Sequence, residues 1–184
     1  MKRIYLRALE LDDYKVTYLW RNDEEITKMV GGPKYFVSIE KEKEWIRNSI
    51  FDTSRIVLGI CLTINNKLIG TVNIQDMDMI NRKCRVPILI GDKQEWNKGY
   101  ATEARMQALD FVFNERGLER VGALILESNI QSIKMHEKCG FIKEGFLRKS
   151  IFKNGEYHNQ VLMGLLKEDF IPLYKEYQKK YLNE

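Results

Sequence analysis

Residues 88–104 combine a strand pattern, a polar loop and the start of a helical pattern, and together they could hold an anion. The apolar run ends at Gly91, and the helical pattern opens at Gly99. The first backbone N–H groups of a helix have no partners within it, and the helix dipole adds partial positive charge there. Gly99 would let the backbone approach a phosphate closely, and Lys98 adds a cation. The segment predicts a pyrophosphate cradle, although an ordinary helix start shares this local signature.

Periodic apolar patterns place this cradle within an alternation of strands and helices. Strands are predicted at residues 2–8, 55–64, 67–75, 84–90, 120–127, 141–153 and 156–166. Helices are predicted at residues 13–22, from Ser38 onward, at 99–116, from Asn129 to Cys139, and at 167–182. Asp12 would cap the first of them. In the second, Glu40 and Glu42 lie near the positive N-terminal end. Strands that alternate with helices, together with hairpins, predict an α/β (α+β) domain with a mixed sheet and helices on both faces.

Pro87 lies inside one of the predicted strands. Proline donates no ladder hydrogen bond, so this strand is expected to be bulged or to lose its partner there. A strand that parts from its neighbour exposes backbone groups to a ligand.

Composition excludes several classes of protein. The 184 residues fit a single domain (1–184), and 44% hydrophobic with 30% charged residues is typical of globular proteins. The net charge of +4 is too small to imply nucleic-acid binding. No apolar run approaches the roughly 20 residues that span a bilayer, and Arg7 interrupts any signal-peptide core. We therefore expect a cytoplasmic protein without nucleic-acid or membrane partners.

Cysteine and histidine usage predicts no metal site. Cys61, Cys84 and Cys139 are odd in number, far apart and set in apolar patterns, which is typical of small core residues in a reducing compartment. The two histidines are distant in sequence, so no metal-ligand spacing is present.

Two segments resemble the signatures of the GNAT superfamily of N-acetyltransferases. Residues 129–141 contain Asn129-x-x-Ser132 followed by Glu-Lys-x-Gly-Phe, which resembles the second signature of that superfamily. Residues 96–104 resemble its acetyl-CoA loop and stand in the right order. Residues 6–12, 20–23, 144–145 and 154–157 are similar to the RimJ/RimL branch, which includes ribosomal-protein N-terminal and spermidine acetyltransferases.

The resemblance implies a fold and a co-substrate. The fold would be a V-shaped, mostly antiparallel sheet of about seven strands in a single GNAT domain, with acetyl-CoA between two central strands that splay apart. Backbone groups around Leu89 and Ile90 would bind the pantetheine arm. Asn129 would also contact that arm, unless it is a plain helix cap, and Lys138 would lie near acetyl-CoA unless it is simply solvated. The pyrophosphate would be held by the backbone N–H groups of Asn97, Lys98, Gly99, Tyr100, Ala101 and Thr102.

The resemblance also identifies candidate acids for the leaving thiolate. Many relatives use a tyrosine, whose place is taken here by His136, preceded by Met135. Histidine can serve as acid or base, although a helix-surface histidine is the alternative. Ser132 is the other candidate acid, with a local helix hydrogen bond as its competing role.

The general base is less well defined. Relatives often carry a glutamate on the strand before the cradle, and Arg85 stands there instead. Asp76 or Asp78 could deprotonate the amine through water, unless they are only turn residues. Trp96 and Asn97 are further departures, but asparagine tolerates a left-handed backbone, so the loop can still form.

These features predict an acetyl-CoA-dependent N-acetyltransferase that acts on a primary amine by direct attack in a ternary complex. The amine could belong to a protein N-terminus, a polyamine, an amino sugar or another small molecule. It would be bound by the first helices, by loops around Tyr35 and Phe36, and by the hairpin near Tyr157. The alternative is a catalytically weak acyl-CoA-binding module. A nucleotide-phosphate enzyme is disfavoured because no Gly-x-x-x-x-Gly-Lys-Ser/Thr pattern is present. The resemblance alone suggests a homodimer.

Overall fold

Eight strands form one mixed sheet in the computed structural model, which describes residues 2–31 and 36–181. The strands are β1 (Ile4–Ala8), β2 (Ile56–Leu62), β3 (Leu68–Asp78), β4 (Lys83–Arg85), β5 (Ile88–Ile90), β6 (Arg120–Leu126), β7 (Ile142–Lys153) and β8 (Glu156–Leu166). Their order across the sheet is β1-β2-β3-β4-β6-β8-β7, and β5 pairs with β3 beside β4. Only β4 and β6 are parallel neighbours among these pairs.

Helices cover both faces, as the sequence predicts. They are α1 (Tyr14–Asn22), α2 (Glu24–Met29), α3 (Ile39–Phe51), α4 (Tyr100–Asp110), α5 (Ile130–Lys138) and α6 (Lys167–Tyr181). On β2, Ile60 belongs to the large core shared with α4, whereas Val57 and Cys61 belong to smaller clusters with residues of α1, α2 and α3. Because side chains alternate along a strand, α1–α3 and α4 lie on opposite faces of the sheet.

The predicted strand at residues 84–90 breaks at Pro87 into β4 and β5. The β4 strand pairs with β3 on one side and with β6 on the other. The β5 strand pairs with β3, and its other edge has no strand beside it in the described part of the chain. The sheet therefore opens between β5 and β6, which confirms the predicted V shape and explains why there are eight strands rather than about seven.

Two helix predictions need correction. The first helix is preceded by a 3-10 turn, Leu11–Asp13, and the Asp13 carboxylate, not Asp12, accepts the Glu10 N–H at 2.8 Å. The helix predicted over residues 99–116 is α-helical only to Asp110 and continues as a π-helical turn, Phe111–Glu115. The short helix α2 was not predicted, because its six residues are too few to show a clear apolar period.

The three cysteines are free and buried, as predicted. None of the helices in the described part of the chain has the length and apolar composition that crossing a bilayer requires.

Candidate active site

The predicted cradle between β5 and α4 has a left-handed backbone at two positions. The φ angles are +61° at Asn97 and +86° at Gly99. Arg3, which lies just before β1, holds the loop in place. Its Nη1 donates to the Lys98 carbonyl at 3.0 Å, and its Nε donates to the Glu103 carboxylate at 3.0 Å. Its guanidinium also lies 4.8 Å from the centre of the Tyr100 ring. The start of α4, which includes Ala101 and Thr102, is thus tied to the segment that leads into β1.

The Lys98 side chain does not extend freely from this loop. Its Nζ lies 2.9 Å from the Glu95 carboxylate, and that hydrogen bond raises the pKa of Lys98. An anion at the cradle would therefore rely on the helix N-terminus and the backbone N–H groups more than on this lysine.

Backbone groups of β5 alternate between the β3 ladder and the opening. Hydrogen bonds from Asn73 N–H to the Pro87 carbonyl and from Gly91 N–H to the Ile69 carbonyl fix the register. Alternation then directs the backbone of Leu89 to β3 and the backbones of Ile88 and Ile90 to the opening. The expectation for Leu89 is therefore wrong: its polar groups belong to the β3 ladder, and Ile88 takes its place on the open edge.

Two side chains hold the ends of that open edge. The Arg105 Nη1 donates to the Val86 carbonyl at 3.0 Å, and the Trp96 Nε1 donates to the Ile90 carbonyl at 2.8 Å. Between them, Ile88 presents its N–H and carbonyl to the opening. The edge is suited to pair with an extended ligand in the way a further strand would.

A slot of about 180 Å³ lies in the opening between β5 and β6. Its walls include three side chains that sequence reasoning singled out, Asn129, Ser132 and His136, together with Arg105 of α4. Asn129 caps α5 as predicted, since its Oδ1 accepts from Ser132 N–H at 3.0 Å, and its Nδ2 donates to the Met29 carbonyl at 3.0 Å. The side chain of Asn129 thus joins α5 to the end of α2.

A second cavity, of about 340 Å³, lies between the helices α1–α3 and the strands β3 and β5. We call it the acceptor cavity, after the amine acceptor that we propose it binds. It shares Val30, Pro87 and Ile88 with the slot, so the two spaces meet where the sheet opens. Trp20 and Trp45 are among the apolar residues of its wall.

Three side-chain oxygen atoms of residues that line the acceptor cavity are shielded from solvent and receive no hydrogen bond from any residue the structure describes. They are Thr17 Oγ1, Glu42 Oε1 and Asn73 Oδ1. Glu42 is only 1% exposed, and its other carboxylate oxygen lies 3.6 Å from Arg21 Nε. The Arg21 guanidinium stacks 4.4 Å from the centre of a Trp45 ring. A ligand that brings N–H or O–H groups would satisfy such buried acceptors.

Comparison with known proteins identifies the family. The profile described as "Acetyltransferase (GNAT) domain" matches residues 3–142. The chain belongs to the GNAT acetyltransferase family. It is 28% identical over 170 residues to the SPbeta prophage-derived uncharacterized N-acetyltransferase YokL of Bacillus subtilis, over 92% of this chain and 93% of that protein. It is 27% identical over 183 residues to the spermidine N(1)-acetyltransferase of Vibrio cholerae, over 98% of this chain and 96% of that protein.

A solved structure agrees with this assignment. The crystal structure of spermidine N-acetyltransferase from Vibrio cholerae in complex with CoA and spermine matches this fold with a TM-score of 0.86. The two sequences are 25% identical, and the match covers 93% of this chain and 99% of that one. The protein is thus an N-acetyltransferase of the GNAT type, and the predicted fold and enzyme class are confirmed.

In this GNAT enzyme, His136 is poorly suited to protonate a leaving group. It is 5% exposed, and its Nδ1 lies 2.7 Å from the Ser132 carbonyl, which only accepts, so Nδ1 carries the proton. Burial, aided by the positive charge of Arg105, lowers the pKa of His136 to about 3. The ring is therefore neutral at ordinary pH, and its Nε2 is an acceptor without a proton to give. Ser132 remains beside it, with Oγ 3.5 Å from the same Nδ1.

The low pKa of His136 predicts how stability depends on pH. Between about pH 6.5 and about pH 3, the unfolded chain binds a proton that the folded chain does not. The free energy of unfolding should therefore fall as pH is lowered through this window, and His136→Gln should flatten that fall. Thermal unfolding from pH 7 to pH 4 measures the slope, with His158→Gln as the control. Equal slopes for wild type and His136→Gln would show that His136 protonates in the folded state.

Asp76 does not lie where a general base is needed. Its carboxylate pairs with the Arg85 guanidinium, its φ angle is +53°, and it is among the lining residues of neither cavity. Asp78 accepts the backbone N–H groups of Ile80 and Asn81, so it shapes the turn after β3, as the alternative interpretation expected. The same ion pair gives Arg85 a structural role, since its positive charge is balanced by a carboxylate of the neighbouring strand β3.

The remaining candidates that the structure describes are not among the lining residues of either cavity, although Val37, next to Phe36, lines the acceptor cavity. Lys138 is exposed on α5, which matches the alternative of a solvated lysine. Phe36 is 89% exposed, and Tyr157 packs edge-on against Phe152 with 5.1 Å between ring centres. Tyr35 lies outside the described residues.

The sequence did not predict Glu42 and Arg105 as lining residues. In the sequence, each is one charged residue among many on a predicted helix.

Proposed function

We propose that this GNAT enzyme transfers the acetyl group of acetyl-CoA to a primary amine by direct attack in a ternary complex. The proposal rests on one observation: the slot and the acceptor cavity meet at Pro87 and Ile88. Two reactants that approach from the two spaces would meet there, and holding both in one geometry is itself a large part of catalysis.

The chain has the groups that acetyl-CoA requires. Backbone N–H groups from Asn97 to Thr102, at the N-terminus of α4, would hold the pyrophosphate, and the open edge at Ile88 and Ile90 would bind the pantetheine arm. The bound thioester supplies an activated acetyl group. An N–H of the same open edge is available to stabilise negative charge on the acetyl oxygen.

The acceptor cavity favours an amine with an apolar body. Its unpartnered oxygens call for donors, and the Glu42 carboxylate would accept a hydrogen bond from the amine while Trp20 and Trp45 contact the carbon chain. An acidic acceptor would place its own charge against a buried carboxylate, which is unfavourable. We assign Glu42 to binding of the acceptor.

Likeness to a spermidine N(1)-acetyltransferase makes polyamines the first acceptors to test. Membership of the RimJ/RimL branch stays a prediction and makes N-terminal peptides the second class. The experiment is an acetylation screen with acetyl-CoA across polyamines, amino sugars and N-terminal peptides, read by mass and by release of free CoA thiol. We expect saturable release with one class. Binding of acetyl-CoA with no thiol release for any amine would instead favour the weak acyl-CoA-binding module.

We also propose that the enzyme forms homo-oligomers through β7. This strand is at one end of the sheet, twelve residues long and almost entirely exposed. It carries four exposed apolar side chains: Ile142, Phe146, Leu147 and Phe152. Long exposed edge strands tend to pair with another chain. Sedimentation should show a mass above the 21.8 kDa of one chain, whereas a monomer across the micromolar range would contradict the proposal.

A further inference from the structure

Arg105 is a buried cation that faces the slot. It extends from α4, is 2% exposed, and its Nη1 donates to the Val86 carbonyl at 3.0 Å. Its Nε has no hydrogen-bond partner, and none of the described residues supplies a carboxylate to it. The guanidinium lies 5.5 Å from the centre of the Phe141 ring.

The surroundings do not compensate this charge. His136 of α5 is neutral, Cys139 at the end of α5 is a buried thiol whose pKa is raised by burial to about 11, and Arg85 is paired with Asp76. Burial lowers the pKa of Arg105 only to about 10, so the side chain remains charged near neutral pH. A buried charge without a counter-ion is costly to the folded state. Its position beside a cavity indicates that a bound anion supplies the missing charge.

The proposed reaction creates an anion in this slot. The amine nitrogen forms a bond to the acetyl carbon, the bond from that carbon to sulfur breaks, and its electron pair stays on sulfur, while the amine proton passes to water. The proton on His136 Nδ1 is held by the Ser132 carbonyl, and its Nε2 has none to donate to that sulfur. We propose that Arg105 stabilises the thiolate of CoA by its charge. This inference rests on the proposed function, because it requires the thiol end of CoA to reach the slot.

The alternative is that Arg105 only tethers the Val86 carbonyl. Two variants separate the roles: R105M removes both the charge and the donors, and R105Q removes the charge but keeps a side-chain N–H donor. Calorimetry would measure binding of CoA and of desulfo-CoA, in which hydrogen replaces the thiol. The measurements run from about pH 6.5 to about pH 9, because a free thiol ionises near pH 8.5. The readout is the ratio of the two affinities, which does not depend on turnover.

We expect the wild-type ratio to rise several-fold in favour of CoA as pH increases, since each unit by which binding lowers the thiol pKa tightens thiolate binding about tenfold. In R105M and R105Q the ratio should stay flat, with desulfo-CoA affinity retained as proof of an intact site. A flat ratio in the wild type, or a rise that survives in R105Q, would overturn the inference. Failure of both ligands to bind the wild type would instead refute the proposed function.

Discussion

Gly99→Glu is expected to weaken acetyl-CoA binding by at least about a hundredfold, which corresponds to about 2.8 kcal/mol. Gly99 has a φ of +86°, a conformation that costs a non-glycine residue about 1–2 kcal/mol. The new carboxylate would also stand at the helix N-terminus where the pyrophosphate is proposed to bind, so two negative groups would compete for the same N–H donors. Calorimetry with acetyl-CoA measures the loss, and the rise in melting temperature at saturating acetyl-CoA should vanish.

The chain contains a matched control for this substitution. Gly155 has a φ of +83°, and a Cβ atom there would meet nothing within 4 Å. Gly155→Glu therefore introduces the same side chain at nearly the same φ angle, but in the β7–β8 hairpin turn, far along the chain from the cradle. It should lose stability as Gly99→Glu does and keep acetyl-CoA binding. Equal affinities in the two variants would place the pyrophosphate elsewhere.

Glu42→Gln is expected to lower kcat/KM for a cationic amine about thirtyfold, mainly through KM. A hydrogen bond to a charged group contributes about 2 kcal/mol, and an amide oxygen replaces the charged acceptor only in part. The melting temperature should stay level or rise, because the variant no longer buries a carboxylate with an unpartnered oxygen. Steady-state kinetics with the best amine from the screen, together with thermal unfolding, provide both readouts.

Glu40→Gln is the control on the same helix. Glu40 is largely exposed and pairs with Lys43 at 2.8 Å, so its change should leave kinetics and acetyl-CoA affinity untouched. Glu42→Gln should likewise keep acetyl-CoA affinity. If instead kcat falls while KM is constant, Glu42 acts on the reacting amine rather than on acceptor binding. If neither constant moves, the acceptor does not occupy this cavity.

Several features of this enzyme were predictable because they follow from short segments. The gap between the strands predicted at residues 55–64 and 67–75 forms a turn with Asn66 at a φ of +58°. The gap between those predicted at 141–153 and 156–166 forms one with Asn154 and Gly155 both left-handed. The break at Pro87 follows from a missing N–H donor. Each is a property of backbone chemistry within a few residues, so no knowledge of distant parts of the chain is needed.

By itself, the sequence determined the strand-loop-helix cradle, the opening of the sheet at Pro87 and the family. Only the tertiary structure decided which polar side chains are buried and what they face. Glu42 and Arg105 each look like ordinary helix-surface charges, and packing of α3 and α4 against the sheet makes one line the acceptor cavity and the other line the slot. His136 looks like an acid, and burial beside Arg105 keeps it neutral. Solvent exposure and neighbouring charges determine the protonation and the contacts of these side chains, and both depend on residues that are distant along the chain.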